Sequence, residues 1–317
     1  FRKIIRIFRF RSKIRELNEK YKFTLVISRH QESTISAYIA GIKNVCFIPP
    51  AITRKQGNTG RKALKSLYSP RAFIESYLDV LAVRFASSIF VFSLQMKKSI
   101  EAVSPPSKKA LLVRPGVDRE RFHPPSRSAK SWTKAKLGVA EKKVILCIGR
   151  IAPEKNFLIA AKAAAYISND FHIVIVGEGS EKENIKTYVT DNQLGEKVSL
   201  FQATEQPEFF YKACDCFLML STYEAFGQTL IEATASGVPV LAFSSAANVE
   251  TATEEIYRAH PHLVSYSDDQ DPVQLAKLIQ ISLDTSDRFE DERKDFLEQY
   301  SWSATCDVIL RNTVFRE

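Results

Sequence analysis

Two carboxylates, Glu224 and Glu232, flank a Phe-Gly pair in the stretch Ser221–Gly237, STYEAFGQTLIEATASG. The stretch lies between the apolar runs CFLML and VPVLAF, so it spans the end of a strand, a turn and a helix. Gly227 lacks a Cβ, which lets the amides at the helix start approach a ligand closely. Those amides, with the helix dipole, favour an anion, and a diphosphate fits. Glu232, one turn into the helix, is then placed to accept hydrogen bonds from neutral hydroxyls, for which a ribose diol is the natural partner. Glu224, before the helix, points toward whatever the diphosphate carries. Two helix-start carboxylates complementing the dipole would explain the charges, but not the Phe-Gly.

A second loop supplies cations. After the run VILCIG come Gly149-Arg150, then Pro153, Glu154 and Lys155. Arginine grips phosphate oxygens in pairs, whereas lysine acts as a mobile point charge. Each alone would read as a solvated surface residue; both in one strand-to-helix loop read as a phosphate site. After the next strand, GEGSEKE brings Gly177 and Gly179. GEGSEK lacks the third glycine of GxGxxG, and GxxxxGK[ST] is absent, which argues against a nicotinamide or flavin dehydrogenase and a P-loop NTPase.

The elements that must hold these loops alternate along the chain. In the second half the strand runs VILCIG, HIVIVG, VSLF, CFLML and VPVLAF are separated by helical segments. Five strands with four crossovers make a doubly wound sheet, in which ligands bind outside the carboxyl ends of the strands. The first half alternates TLVIS, NVCFI, IFVFS and ALLVRPG with helices, and again predicts a parallel sheet. Pro- and Ser-rich stretches, VSPPSKK and RFHPPSRSAKS, predict a linker near there. The opening FRKIIRIFRFRSKIRELNEK has helical spacing, with Phe1, Ile4, Ile5, Phe8, Phe10, Ile14 and Leu17 apolar. It reads equally as a helix lying in a membrane interface and as one packed on a sheet.

The 317 residues suffice for two cores. Residues 1–125 hold 25 Lys/Arg and 8 Asp/Glu, and the rest hold 20 and 28. A net +17 in the first part predicts an anionic partner, nucleic acid or an acidic membrane surface, or else a solvated basic face. No nucleic-acid motif accompanies it. No apolar run approaches the roughly 20 residues of a membrane span. Arg2, Lys3, Arg6 and Arg9 break up any signal peptide. Five scattered cysteines without CxxC indicate a reducing compartment, and Cys214 and Cys216 have no neighbouring residues to complete a metal site. A start at Phe1 rather than Met is expected of a fragment or processed product.

GRIAPEKN, VIVGEGSEKENI, CDCFLMLSTYEAFGQTLIEATASGVPVLAF and the late YSW together resemble the retaining glycosyltransferases of family 4. LLVRPGVDRERFHP is similar to the segment leading into their second domain. The resemblance runs from about Thr24 to the end, and Glu224-x-Phe226-Gly227-x-x-x-x-Glu232 is its most specific part. It implies the GT-B fold: two Rossmann-like, doubly wound α/β domains facing a cleft. Residues 1–120 would form the acceptor-side domain and residues 121–300 the nucleotide-sugar domain. Residues 301–317 would form a helix crossing back to the first domain.

The resemblance also implies roles. Arg150 and Lys155 would hold the diphosphate and Glu232 the ribose. Glu224, with the backbone around Phe226, Gly227, Gln228 and Thr229, would hold the donor sugar and phosphates. Gly149, Gly177, Gly179 and Thr204 would lie by the nucleotide. SRHQESTISAYIAG resembles the segment that carries the family's active-site histidine, which points to His30. Three departures stand out. The first strands and Gly-rich loop of the first domain have no counterpart, Ala225 stands where the family often has glycine, and SSAANVE replaces a Gly-rich loop. The implied activity is transfer of a sugar from a nucleoside-diphosphate sugar to a hydroxyl of a glycan or lipid-linked acceptor, with retention. Neither a metal nor a cofactor is expected. The expected place is the cytoplasm, peripheral to the inner membrane face. The alternative is a degenerate subunit that binds nucleotide sugar without turnover.

Overall fold

Runs of Val, Ile, Leu and Phe alternate with helical segments through both halves, and they form two separate parallel sheets. A computed structural model describes residues 2–50, 70–103, 109–282 and 289–313. Its contacts group into one unit of Phe1–Pro115 with Trp302–Glu317 and another of Gly116–Ser301.

The first unit runs α1 (Arg2–Tyr21), β1 (Val26–Ser28), α2 (Gln31–Ile39), β2 (Val45–Phe47), α3 (Pro70–Phe85), β3 (Ser88–Val91), α4 (Leu94–Glu101) and β4 (Leu111–Leu112). The strands pair in chain order, all parallel, with Val26 beside Val45, Phe47 beside Ile89 and Phe90 beside Leu111. Cys46, Phe90 and Val113 pack around Ile309 from the last helix, Trp302–Thr313. Thr305 of that helix donates to the Arg114 carbonyl.

The opening helix forms as its spacing predicts, but a different face turns inward. Ile7 is buried and Ile14 packs against Ala37, Ile42 and Val45. Lys3 and Arg6 reach the buried Glu32 carboxylate at 3.9 and 3.7 Å. Ile4, Ile5, Phe8 and Phe10 are left 42–59% exposed. Successive helix residues turn by about 100°, so burial of Ile7 points its neighbour Phe8 away from α2.

The second unit contains α5 (Arg127–Lys136), β5 (Lys143–Ile148), α6 (Phe157–Ala163), β6 (Phe171–Val176), α7 (Lys182–Asp191), β7 (Val198–Phe201), α8 (Pro207–Ala213), β8 (Cys216–Met219), β9 (Tyr223–Glu224) and α9 (Gln228–Ala235). It continues with β10 (Val240–Phe243), β11 (Glu250–Thr251), α10 (Thr253–Ile256), β12 (Val264–Ser267), α11 (Pro272–Ser282) and α12 (Glu290–Glu298); the last helix is then α13. The main sheet runs β12-β10-β8-β5-β6-β7, all parallel. In order of appearance that is 3-2-1-4-5-6, with the reversal between β5 and β8.

Three sequence expectations are corrected here. The first sheet, in plain chain order, has no reversal and so is not doubly wound, and the second has six strands rather than five. The added strand, β12, reads Val-Ser-Tyr-Ser. It lies at the sheet edge, and an edge strand need not be apolar at every position. Of the stretch Arg121–Ser131, expected near a linker, Arg127–Ser131 opens helix α5, which the Ser126 hydroxyl caps by accepting from Ala129 N at 3.2 Å. The other linker stretch, residues 104–108, lies outside the described residues. All five cysteines are free. Cys147, Cys214 and Cys216 are buried, and burial pushes the Cys216 thiol up to about 12.

Candidate functional site

The carboxyl ends of β5, β6 and β7 close a small cavity with one side of α9. It holds about 150 Å³ and is lined by Gly149, Gly177, Thr204, Pro207, Thr229 and Glu232 among others. Backbone bonds fix its floor. Gly149 N donates to Val176 O at 3.0 Å, Ile151 N to Glu178 O at 2.8 Å and Gly177 N to Phe201 O at 3.1 Å. Gly177 must be glycine here: a Cβ would fall 1.8 Å from the Gly149 carbonyl oxygen. At Gly179 a Cβ would fall 2.0 Å from the Ile151 carbonyl oxygen.

The cationic loop lies beside this cavity. Arg150 follows Gly149 directly, and its guanidinium pairs with Glu154 while staying largely in solvent. Pro153–Lys155 forms a turn of 3-10 helix closed by Asn156. Thr222 N donates to Glu154 O at 2.8 Å, which ties this loop to the segment after β8. Lys155 then bonds the Glu224 carboxylate, with both side chains about four-fifths covered. Glu224 itself sits on β9, whose partner β11 lies parallel to it. Ala252 N donates to Glu224 O at 3.1 Å.

Gly227 caps α9 with φ 95°, a left-handed conformation that glycine adopts without cost. A Cβ there would meet Leu230 Cδ1 at 2.8 Å and Glu224 Cγ at 3.5 Å. No carboxylate lies in the first turn of α9. The pair of glutamates is therefore not a complement to the helix dipole. Glu224 ends a strand, and Glu232 lies past the first turn with its side chain lining the cavity.

Glu232 is half-buried, and burial raises its carboxyl from the usual range to about 7. The Tyr211 hydroxyl, which donates to Glu232 Oε2 at 3.2 Å, and the nearby Arg121 guanidinium oppose that rise, while Glu208 adds to it. Arg121 in turn pairs with Glu208 at 2.6 Å and donates to the Glu205 carbonyl at 2.9 Å. Sequence spacing gave no sign of Tyr211, Arg121 or Glu208. Tyr211 reads as one more aromatic in PEFFYKACD, and Arg121 comes from a different part of the chain.

The remaining candidates divide. Phe226 is buried with its ring 6.4 Å from that of Tyr300, so only its backbone can serve a ligand. Gln228 turns its amide to the Gly116 carbonyl at 3.1 Å. Thr204 lines the cavity and accepts from Gln206 N at 3.0 Å. His30 belongs to the other unit. It stands just past β1, at the N-cap of α2, exposed and without a side-chain capping bond. Its carbonyl accepts from the Ser33 and Thr34 hydroxyls, each at 2.9 Å. No group of three or more His, Cys, Asp or Glu side chains is placed to hold a metal among the described residues. None of the described helices is long and apolar enough to cross a membrane.

Two parallel α/β units, the second doubly wound, fit the GT-B class, and the solved structures agree. Anabaena Alr3699/HepE, in complex with UDP and glucose, superposes with a TM-score of 0.78 at 18% identity, over 95% of this chain and 80% of that one. Residues 130–292 match the family of glycosyl transferases group 1, and the chain belongs to it. The mannosylfructose-phosphate synthase of Agrobacterium fabrum is 29% identical over 161 residues, 47% of this chain and 35% of that enzyme. The Escherichia coli UDP-Gal:alpha-D-GlcNAc-diphosphoundecaprenol alpha-1,3-galactosyltransferase is 26% identical over 238 residues, 71% of this chain and 59% of that enzyme. The matched stretches thus span about a third to three fifths of these two relatives.

Proposed function

We propose that the chain transfers a sugar, with retention, from a nucleoside-diphosphate sugar to a hydroxyl of a glycan or lipid-linked acceptor. One observation carries this reading. Gly149, Gly177, Thr204, Thr229 and Glu232 line one cavity, Arg150 follows Gly149 in the chain, and Lys155 of the same loop bonds Glu224 just before α9. The cavity and α9 take the nucleotide, with Glu232 accepting from the ribose diol. Arg150, Lys155 and the amides of Gly227–Thr229 neutralise the diphosphate.

During transfer the bond from the anomeric carbon to the diphosphate oxygen breaks, and negative charge grows on that oxygen. The two cations and the helix amides stabilise it, as donors in an oxyanion hole do. The acceptor oxygen bonds to the anomeric carbon on the face the leaving group vacates, and its proton passes to the departing phosphate. Glu224 holds a donor-sugar hydroxyl. Positive charge supplied by the protein makes turnover independent of a divalent ion in this reading. The relatives named above include a UDP-galactose enzyme and a protein holding UDP and glucose, which supports a nucleotide sugar as donor.

The basic, apolar face of α1 contacts an anionic membrane that carries the acceptor. Its eight Lys/Arg against two Glu, and its exposed Ile4, Ile5, Phe8 and Phe10, suit an interfacial helix. The test is release of nucleoside diphosphate from a panel of UDP-, GDP-, ADP- and dTDP-sugars, with a lipid-linked oligosaccharide acceptor and with EDTA present. Release from one donor is expected. Release from none, in a folded full-length protein, contradicts the reading.

A further inference from the structure

Tyr211 is, with Tyr257, one of the largest side chains wholly withdrawn from solvent among the described residues, yet its hydroxyl is aimed at Glu232 on the cavity wall. The hydroxyl reaches Glu232 Oε2 at 3.2 Å and the Thr229 carbonyl at 3.3 Å. Its ring is held edge-on by Phe122 at 5.7 Å and tilted against Phe217 at 5.8 Å. These two rings hold the hydroxyl in place, and its single proton goes to the charged carboxylate, the stronger of the two acceptors.

The consequence falls on Glu232. A carboxylate has two oxygens and accepts only, so a donor fixed on Oε2 leaves Oε1 to face the cavity. We propose that Tyr211 is a positioning residue that locks the Glu232 carboxylate as the acceptor by which the site tells a ribose from a deoxyribose. This rests on the reading of Glu232 as the ribose acceptor. Around the carboxylate stand Tyr211 and Glu208 from α8 and Arg121 from the loop before α5. Glu208 is already held by Arg121 at 2.6 Å, which leaves Tyr211 as the neutral donor that keeps the buried carboxylate charged. Glu232 is raised to about 7 even with this bond in place, so losing the bond pushes it higher.

The experiment measures binding of UDP and GDP, each beside its 2′-deoxy form, to the wild type, Glu232→Gln and Tyr211→Phe between pH 6 and 9. The wild type is expected to prefer the ribose form by about tenfold at pH 8. The preference declines as acid protonates Glu232. Tyr211→Phe is expected to cut the preference to about threefold at pH 8 and to move the decline to higher pH. Tyr211→Phe with wild-type preference and an unmoved pH profile overturns the inference, while Glu232 keeps its role if Glu232→Gln loses the preference. A Glu232→Gln protein that keeps the full preference removes the ribose reading itself. Should Tyr211→Phe fail to fold, Phe122→Leu, which loosens the Tyr211 ring, takes its place: a smaller preference that declines at higher pH supports the proposal, and wild-type behaviour overturns it.

Discussion

The two parallel sheets carry their charge in opposite ways. In the first unit cations spread along α1: Lys3, Arg6 and Arg11 reach onto α2 and its neighbours, Lys13 and Arg15 pair with Glu16 and Glu19 in solvent, and Arg9 and Lys20 are exposed. In the second unit, which belongs to the acidic part of the chain, Arg150 and Lys155 are each paired with a glutamate at the carboxyl rim of the sheet. Glu232, Glu208, Arg121 and Tyr211 form a second paired cluster one helix away. The net charge of a segment therefore marks a surface, and paired charge at strand ends marks the candidate site. Screened surface charge contributes little to binding one small ligand, while half-buried charge contributes much more.

The largest effect expected from this contrast lies at the rim. Arg150→Ala with Lys155→Ala should lower turnover by about 10²–10³-fold, by analogy with loss of oxyanion donors, and lower melting because the covered Glu224 carboxylate loses its partner. Steady-state kinetics beside a thermal melt checks it, and equal turnover would place the diphosphate elsewhere. Next comes Gly177→Ala, whose Cβ must displace the Gly149 carbonyl. A loss of about 3 kcal/mol is expected from denaturant unfolding.

Smaller effects sharpen the contrast. Glu232→Ala should weaken nucleoside diphosphate binding about tenfold in a titration, since one hydrogen-bonding acceptor is removed. Arg9→Ala on α1 should weaken binding to phosphatidylserine vesicles about fivefold, near 1 kcal/mol per cation, with turnover of a soluble acceptor unaltered.

The smallest effect tests the burial of Glu232. The native carboxyl titrates at about 7, above its ordinary value, so the folded protein holds a proton that the unfolded chain releases. Stability from this group is fully present below its unfolded value and is lost as pH rises through about 7. Glu232→Gln, which mimics the neutral form, should thus raise the melting temperature by about 2–4 °C at pH 8 and leave it unmoved at pH 4. The same rise at both pH values would argue against a strained carboxylate.

Much of the second unit was legible because its central strands are almost wholly apolar, Lys143 and His172 apart. β12 escaped because edge strands alternate, and α5 because its capping serine sits among prolines that suggest a linker. At the site, the glycines and the two cations were legible from their place after strands. The partners of Glu232 were not, since Tyr211 and Arg121 reach it from other elements and no sequence spacing relates them. On α1 the periodicity gave the helix but not its inward face. That face is chosen by α2, which offers Glu32 and the Ile7 contact, and neither is visible from α1 alone.

The central claim is that a diphosphate binds where the Arg150–Lys155 loop meets the start of α9. Hydrogen exchange of backbone amides with and without saturating UDP or GDP tests it most directly. Slowed exchange at Gly149–Ile151 and Gly227–Thr229 is the expected result. Protection absent there and present instead at the cavity of His262, Leu263 and Arg293, by the opposite ends of β10 and β12, would contradict it.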